Sequence, residues 1–346
     1  MDIIIKNGCI HELDKHLEHS GATKLYIITD DNVGRLYMDK LKGIIDDYTM
    51  GIYILTPGEE SKSISTVLSI YDALIEQNMD RNGIILSLGG GVVGDIAGFV
   101  ASTYMRGLKY IQIPTTLLAQ VDSSVGGKVG IDYGGYKNMV GSFYFPELSI
   151  VDVQFLKTLP RREITCGLGE VLKYGLIWDY GLFKYTVDNM KNIYDGDMDI
   201  LLEIVERSVA IKKEVVDKDR YDIGLRRILN FGHTIGHSIE ACYGFTHYNH
   251  GEAVILGMIY ESNIAYQMNL IDEGYFEEIY ERLKGLVEPI KFDKDDIEKL
   301  IHRMKMDKKN IKDRIALVLP VSRGKVKLFM DVNEWLIAKS LEGEWI

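Results

Sequence analysis

Histidine is the side chain best matched to proton transfer and metal binding near neutral pH. Three of the eight histidines stand in two neighbouring motifs, Gly232-His-Thr-Ile-Gly-His237 and His250-Gly-Glu252. His233 and His237 are i, i+4 in a helical pattern and so share a face. Imidazoles so placed can hold one metal together, or divide the work of ligand and general base. The zinc-peptidase pattern needs Glu directly after the first His, and Thr234 stands there instead. Glu170, in Gly169-Glu-Val-Leu-Lys-Tyr-Gly175, lies inside an otherwise apolar helical stretch. A carboxylate on such a face needs a partner. A cation is one, and Lys173 at i+3 is another. Any one of these histidines reads most simply as a core or cap residue; three with a Glu favour a metal site.

A second group of residues has the chemistry of anion binding. Ser87-Leu-Gly-Gly-Gly-Val-Val-Gly-Asp95 follows a strand pattern and opens a helical one. Gly89, Gly91 and Gly94 fit G-x-G-x-x-G, whose glycines let backbone N–H groups approach a phosphate at a helix N-terminus. The usual acidic ribose partner about 20 positions on is missing, since the next strand ends in Pro114-Thr-Thr116. Dinucleotide binding and tight helix–strand packing are both open readings. Asp30, Asn32, Glu59 and Lys62 follow earlier strands, where open α/β sheets bind ligands; each alone also reads as a cap or loop residue. Asp122-Ser-Ser-Val-Gly-Gly-Lys128 fails the phosphate-loop pattern at Asp122 and Val129. Lys128, Lys137 and Asn138, in or beside glycine turns, are either exposed turn polarity or a pocket for a phosphate or carboxylate.

These residues need a scaffold. The chain has 346 residues, 46% hydrophobic and 26% charged, which suggests two globular domains. Net charge is −11, a poor match to nucleic acid. Three widely spaced cysteines, Cys9, Cys166 and Cys242, argue against a disulfide framework. No signal peptide is visible, and the weakly polar stretch Gly83–Met105 carries Asp95 and many glycines, so the expectation is a cytoplasmic protein with no membrane span. Leu25–Thr29, Ile52–Leu55, Ile84–Leu88 and Tyr110–Ile113 read as buried strands. Asn32–Leu41, Ser63–Asn78 and Gly94–Tyr104 read as helices between them, which predicts a mostly parallel sheet. After Pro160 helical periods dominate, in Ile200–Val216, Leu225–Cys242 and Glu252–Met268. Ile315–Leu319 and Val326–Phe329 read as a late hairpin. The expected plan is an α/β domain over 1–159 and a mainly helical domain over 160–346, with a ligand cleft between them.

Taken in order, the motifs resemble the 3-dehydroquinate synthase family. They are Pro57-Gly-Glu-Glu-Ser-Lys-Ser63, Gly89-Gly-Gly-Val-Val-Gly-Asp95, Ile113-Pro-Thr-Thr116, Asp122–Lys128, Lys137-Asn138, Gly169–Gly175, Leu229-Asn-Phe-Gly-His-Thr-Ile-Gly-His237, His250-Gly-Glu-Ala253 and Asp307-Lys-Lys309. The resemblance implies an NAD-binding α/β domain and a helical metal-binding domain. It implies bound NAD, a zinc or cobalt ion, and the seven-carbon phosphosugar acid DAHP as substrate. Glu170, His233 and His250 would hold the metal, leaving His237 as general base or proton relay. Asp30, Asn32, Glu59, Lys62, Gly90, Gly91, Val92, Asp95, Thr115 and Thr116 would hold NAD, with Phe155 and Thr158 near it. Lys128, Lys137 and Asn138 would lie where cofactor and substrate meet. Asp122, Lys173, Lys212, Arg226, Asn230 and Lys308 or Lys309 would bind substrate. Arg106 would reach a neighbouring subunit's site, implying a homodimer. In Asp217-Lys-Asp-Arg220 the family's Glu is replaced by Arg220, which leaves Lys212 intact and touches only local loop contacts.

The implied reaction oxidises an alcohol with NAD, eliminates phosphate, returns the hydride and closes the ring by aldol addition. Two rivals share the plan. A glycerol-dehydrogenase-like oxidoreductase has little need for so many anion-binding residues. Sugar phosphate cyclases of secondary metabolism tend to differ in the segment matching Asp122–Lys128, which is intact here.

Overall fold

The computed structural model describes residues 2–45, 48, 50–222, 224–243, 247–288, 290–306 and 314–343. They group into two compact units, one of Met1–Pro160 with Asp195–Val209, the other of Arg161–Tyr194 with Ala210–Ile346.

The first unit carries strands β1 (Asp2–Lys6), β2 (Leu25–Asp30), β3 (Met50–Leu55), β4 (Ile84–Gly89), β5 (Lys109–Pro114), β6 (Lys128–Tyr133), β7 (Tyr136–Phe143) and β8 (Leu148–Asp152). Its helices are α1 (Glu12–Ser20), α2 (Asp31–Lys42), α3 (Ile64–Glu76) and α4 (Gly91–Thr103). The parallel sheet has the order β1-β8-β5-β4-β2-β3. Strands covered on both faces read as continuous apolar runs, and β2 alternates between two cores. Tyr26 and Ile28 pack into one, Leu25 and Ile27 into the other. From β2 the chain steps outward to β3, then crosses back over β2 to β4. The order therefore reverses between β2 and β4, and the carboxyl ends of those strands flank the crevice where such sheets bind ligands.

The four expected strands and three expected helices all form, with ends shifted by a few residues. The sequence reading missed β1, β8 and the antiparallel hairpin β6–β7. Strands β1 and β8 are five residues each and pair with each other across most of the first unit, so no local pattern announces them. Nearly every residue of β7 is exposed, leaving no alternation to read.

The second unit holds α5 (Arg161–Ile177), α6 (Tyr180–Asp188) and α7 (Met190–Tyr194). Helix α8 (Met198–Lys218) has its residues shared between the units at Val209/Ala210. Then come α9 (His233–Cys242), α10 (His250–Gln267), α11 (Glu273–Leu283), α12 (Lys294–Met306), the hairpin β9 (Leu317–Ser322) and β10 (Lys325–Phe329), and α13 (Glu334–Glu342). The expected single helix Leu225–Cys242 is instead a 3₁₀ stretch, Leu225–Asn230, followed by α9. The break falls at Gly232, whose φ of 78° is left-handed and which only glycine adopts without penalty. No helix among the described residues is long and apolar enough to cross a membrane.

Candidate active site

Three helices of the second unit carry the histidine–glutamate group, and glycines set their spacing. Glu170 sits in α5, His233 opens α9 and His250 opens α10. A Cβ on Gly251 would overlap the carbonyl oxygen of Cys166 on α5, and one on Gly257 would overlap the carbonyl oxygen of Gly232. A Cβ on Gly169 would lie 2.6 Å from the Gly251 carbonyl oxygen. Backbone therefore packs on backbone beside each of the three residues. Asn249 N-caps α10 by accepting from Glu252 N–H at 2.9 Å, while the Glu252 carboxylate accepts from Asn249 N–H at 2.8 Å, a capping box. Arg162 on α5 donates to both Glu252 oxygens. This ties the start of α10 to α5.

Glu170 is fully buried. Its Oε1 lies 3.2 Å from His233 Nε2 and 3.4 Å from His250 Nε2. Its Oε2 meets the buried Lys173 ammonium, so the sequence's two alternatives, a cation site and an ion pair, share one carboxylate. Despite these approaches, neither Glu170 oxygen accepts a hydrogen bond of acceptable geometry. Tetrahedral sites with bonds of about 2.0–2.1 Å put ligand atoms about 3.3 Å apart, which is the spacing seen here. His233 Nδ1 lies 3.1 Å from the Phe231 carbonyl oxygen. A carbonyl only accepts, so Nδ1 carries the proton and the Nε2 lone pair faces Glu170. The donor set thus fits a zinc-type ion.

The electrostatics follow from burial. Burial opposes charge on Glu170, but the Lys173 ammonium and His233 hold the carboxyl well below its usual range. Burial, helped by Lys173, pushes His233 down to about 4. Burial also works against charge on His250, yet the Glu170 and Glu240 carboxylates on either side of its ring push it up to about 9. His237 stands beside this trio, its ring 5.1 Å from that of His233 and 5.7 Å from that of His250. It forms a second cluster with Glu240 and His250.

In the first unit, Gly90 N-caps the 13-residue α4 at the carboxyl end of β4 with no side-chain cap. The leading N–H groups of a helix need an acceptor, and a pyrophosphate is one. Nearby, the Thr115 and Ser123 hydroxyls are buried without a hydrogen-bond partner. A Cβ on Gly90 would meet Thr116 Cγ2 at 3.1 Å, and one on Gly91 would meet Ser123 Oγ at 3.2 Å. Asp30, at the end of β2, caps α2 through Val33 N–H at 3.0 Å. Lys62 is buried and donates to Asp95 at 2.6 Å, with Glu59 at 3.9 Å. Asn32 is exposed in the first turn of α2, and Val92 is half-buried in that of α4. The Phe155 ring meets Tyr37 edge-on at 4.7 Å, and the Tyr37 hydroxyl also touches Thr158. The uncapped start of α4, with the buried Thr115 and Ser123 hydroxyls, has the chemistry to take a pyrophosphate.

The remaining candidates divide between the units. Lys128 is exposed at the start of β6, and Lys137 and Asn138 are exposed on β7. Asp122 lies in a π-helical turn, Ala119–Ser123. Arg106 is exposed with a left-handed φ of 68°. In the second unit Lys173, Lys212 and Arg226 are all buried, and Asn230 is half-buried. Arg226 donates to the carbonyl oxygen of Arg220 at 3.2 Å. Lys308 and Lys309 lie outside the described residues. The sequence reading missed Glu240 and Glu261. Glu240 follows His233 at i+7 and His237 at i+3 on the same face, a signal that was available. Glu261, buried on α10, accepts from Gly232 N–H at 2.7 Å. No sequence pattern links those two.

The chain matches two family descriptions, 3-dehydroquinate synthase N-terminal over residues 52–166 and 3-dehydroquinate synthase C-terminal over residues 167–310. It is 44% identical to the 3-dehydroquinate synthase of Alkaliphilus metalliredigens over 94% of this chain and 91% of that protein. Among solved structures, a 2-deoxy-scyllo-inosose synthase complexed with carbaglucose-6-phosphate, NAD+ and Co2+ superposes with a TM-score of 0.90. It shares 27% identity, covering 99% of this chain and 96% of that one. A 2-epi-5-epi-valiolone synthase from Streptomyces hygroscopicus with NAD+ and Zn2+ gives a TM-score of 0.89 at 26% identity, covering 98% and 95%. Matched over both halves and aligned nearly end to end, the chain belongs to the 3-dehydroquinate synthase family.

Proposed function

We propose that the chain converts DAHP to 3-dehydroquinate and phosphate, with residues 1–159 holding NAD and residues 160–346 holding the metal and much of the substrate. The observation that carries this is the convergence of Glu170, His233 and His250 in a member of this family. When bound, NAD supplies reversible hydride chemistry and a zinc or cobalt ion supplies Lewis acidity toward substrate oxygens. The chain does the rest. Glu170, His233 and His250 hold the ion. Asp30, Asn32, Glu59, Lys62, Gly90, Gly91, Val92, Asp95, Thr115 and Thr116, with Phe155 and Thr158, hold and orient the nicotinamide nucleotide. Lys128, Lys137, Lys212, Arg226 and Lys308 gather positive charge for a carboxylate and a phosphate on a chain of net charge −11. Asp122, Asn138, Asn230 and Lys173 orient the substrate hydroxyls, and His237 moves protons. The higher identity to 3-dehydroquinate synthases than to the 2-epi-5-epi-valiolone and 2-deoxy-scyllo-inosose synthases supports DAHP over their substrates.

The test is purified chain with DAHP and substoichiometric NAD. Phosphate and 3-dehydroquinate should form one for one over many turnovers with no accumulation of NADH. Stoichiometric NADH would instead identify a dehydrogenase. The working unit is a homodimer in which Arg106 serves the neighbouring site. Mixing inactive Arg106→Ala with inactive His237→Ala should then restore part of the activity; no recovery would remove Arg106 from the neighbour's site.

A further inference from the structure

We infer that Glu240 is a positioning residue for His250, fixing its ring so that Nε2 faces the metal. The inference rests on Glu170, His233 and His250 being the ligands. The His250 ring lies between two carboxylates, with Nε2 3.4 Å from Glu170 Oε1 and Nδ1 3.6 Å from Glu240 Oε2. A neutral imidazole has one N–H and one lone pair. With the proton on Nδ1 toward Glu240, the lone pair on Nε2 points to the space shared with Glu170 and His233. His233 already has this arrangement, its Nδ1 held by the Phe231 carbonyl. The two ligands therefore use different acceptors for the same purpose: a backbone oxygen for one, a side-chain carboxylate for the other. Glu240 is buried, so its charge needs a fixed partner. Its position one helical turn beyond His237 brings it to His250 rather than to solvent. Partners of this kind set ligand orientation and basicity.

The test is Zn2+ affinity of the full chain, measured by competition with a chromophoric chelator. Glu240→Ala should weaken Zn2+ binding by about 10–100-fold. Glu240→Gln, whose amide oxygen can accept from Nδ1–H, should weaken it less, with metal-free melting close to wild type. The visible spectrum of the Co2+-loaded Glu240→Gln chain should match the wild type, since the ligand set is unchanged. An altered Co2+ spectrum would make Glu240 a direct ligand and overturn the inference. Wild-type Zn2+ affinity in both variants would also overturn it. Where Glu240→Ala does not fold, Glu240→Gln decides alone, wild-type affinity counting against. His250→Ala separates the two levels. If it loses Zn2+ while the Glu240 variants keep it, only the role of Glu240 fails; if it keeps Zn2+, the ligand assignment fails as well.

Discussion

Glycines shape the candidate residues of both units, and they do opposite things. At the β4–α4 turn, Gly90 leaves the first helix N–H groups without a side-chain cap. In the helical unit, Gly251 and Gly257 clear room for other backbone, so that α5 and α9 press against α10. The first arrangement exposes main-chain donors; the second aims side chains. One motif of small residues can therefore mean a binding surface or a rigid mount, and the difference lies in what the missing Cβ would strike.

The comparison can be tested from its strongest consequence downward. His250→Ala should abolish both metal binding and activity, whereas His237→Ala should keep the metal and lose activity; metal analysis with the coupled assay reads both. Reversal of that pattern would exchange their roles. Gly251→Ala and Gly257→Ala force a methyl group into a carbonyl oxygen. Overpacking of this kind costs about 1–3 kcal/mol or more, so urea midpoints should fall and metal should be lost with them. Gly90 has a φ of −74° that alanine tolerates, and its Cβ would meet only the Thr116 side chain, its methyl at 3.1 Å and its hydroxyl at 3.6 Å. Gly90→Ala should leave the urea midpoint nearly unchanged and weaken NAD binding. Equal destabilisation by all three would erase the contrast.

Smaller effects separate the two cationic sets. Lys128 is exposed, so Lys128→Ala should lower kcat/KM by orders of magnitude with little change in melting, because exposed pairs contribute about 1 kcal/mol at most. Arg226 is buried and bonded to the Arg220 carbonyl, so Arg226→Ala should lower melting as well as kcat/KM. A melting loss for Lys128→Ala as large as for Arg226→Ala would refute the distinction. The smallest effect concerns Lys62. Burial works against its charge, but Asp95 and Glu59 raise it above the ordinary lysine range. A raised value in the folded state gives stability that is complete below the unfolded lysine range and lost as pH climbs through the folded one. The stability gap between wild type and Lys62→Met should therefore narrow only at strongly alkaline pH; a gap already closing near neutrality would show that burial outweighs the two carboxylates.

What could be read from the sequence follows the range of the interactions involved. The turn at Gly89–Asp95 is local, strand then helix, and its residues announced it. The i, i+4 spacing of His233 and His237 is equally local. Strands β1 and β8 form by pairing with strands far away in sequence, β1 with β8 and β8 also with β5. The break before α9 depends on Gly232 meeting Met258 and Val254 of α10, a contact no window of residues contains. Glu240 was within reach at i+7, but its partner His250 lies on the next helix.

The close packing around Gly251 and Gly257 also bears on which ions the chain admits. Side chains mounted on helices that already touch through their backbones cannot spread to suit a larger guest. Glu170 Oε1 stands 3.2 and 3.4 Å from the two imidazole nitrogens, a span suited to short bonds. Calcium, with oxygen ligands at about 2.3–2.6 Å and six to eight of them, would require the helices to part. The frame thus discriminates by radius before ligand chemistry is considered, and two nitrogen donors then favour zinc or cobalt over magnesium.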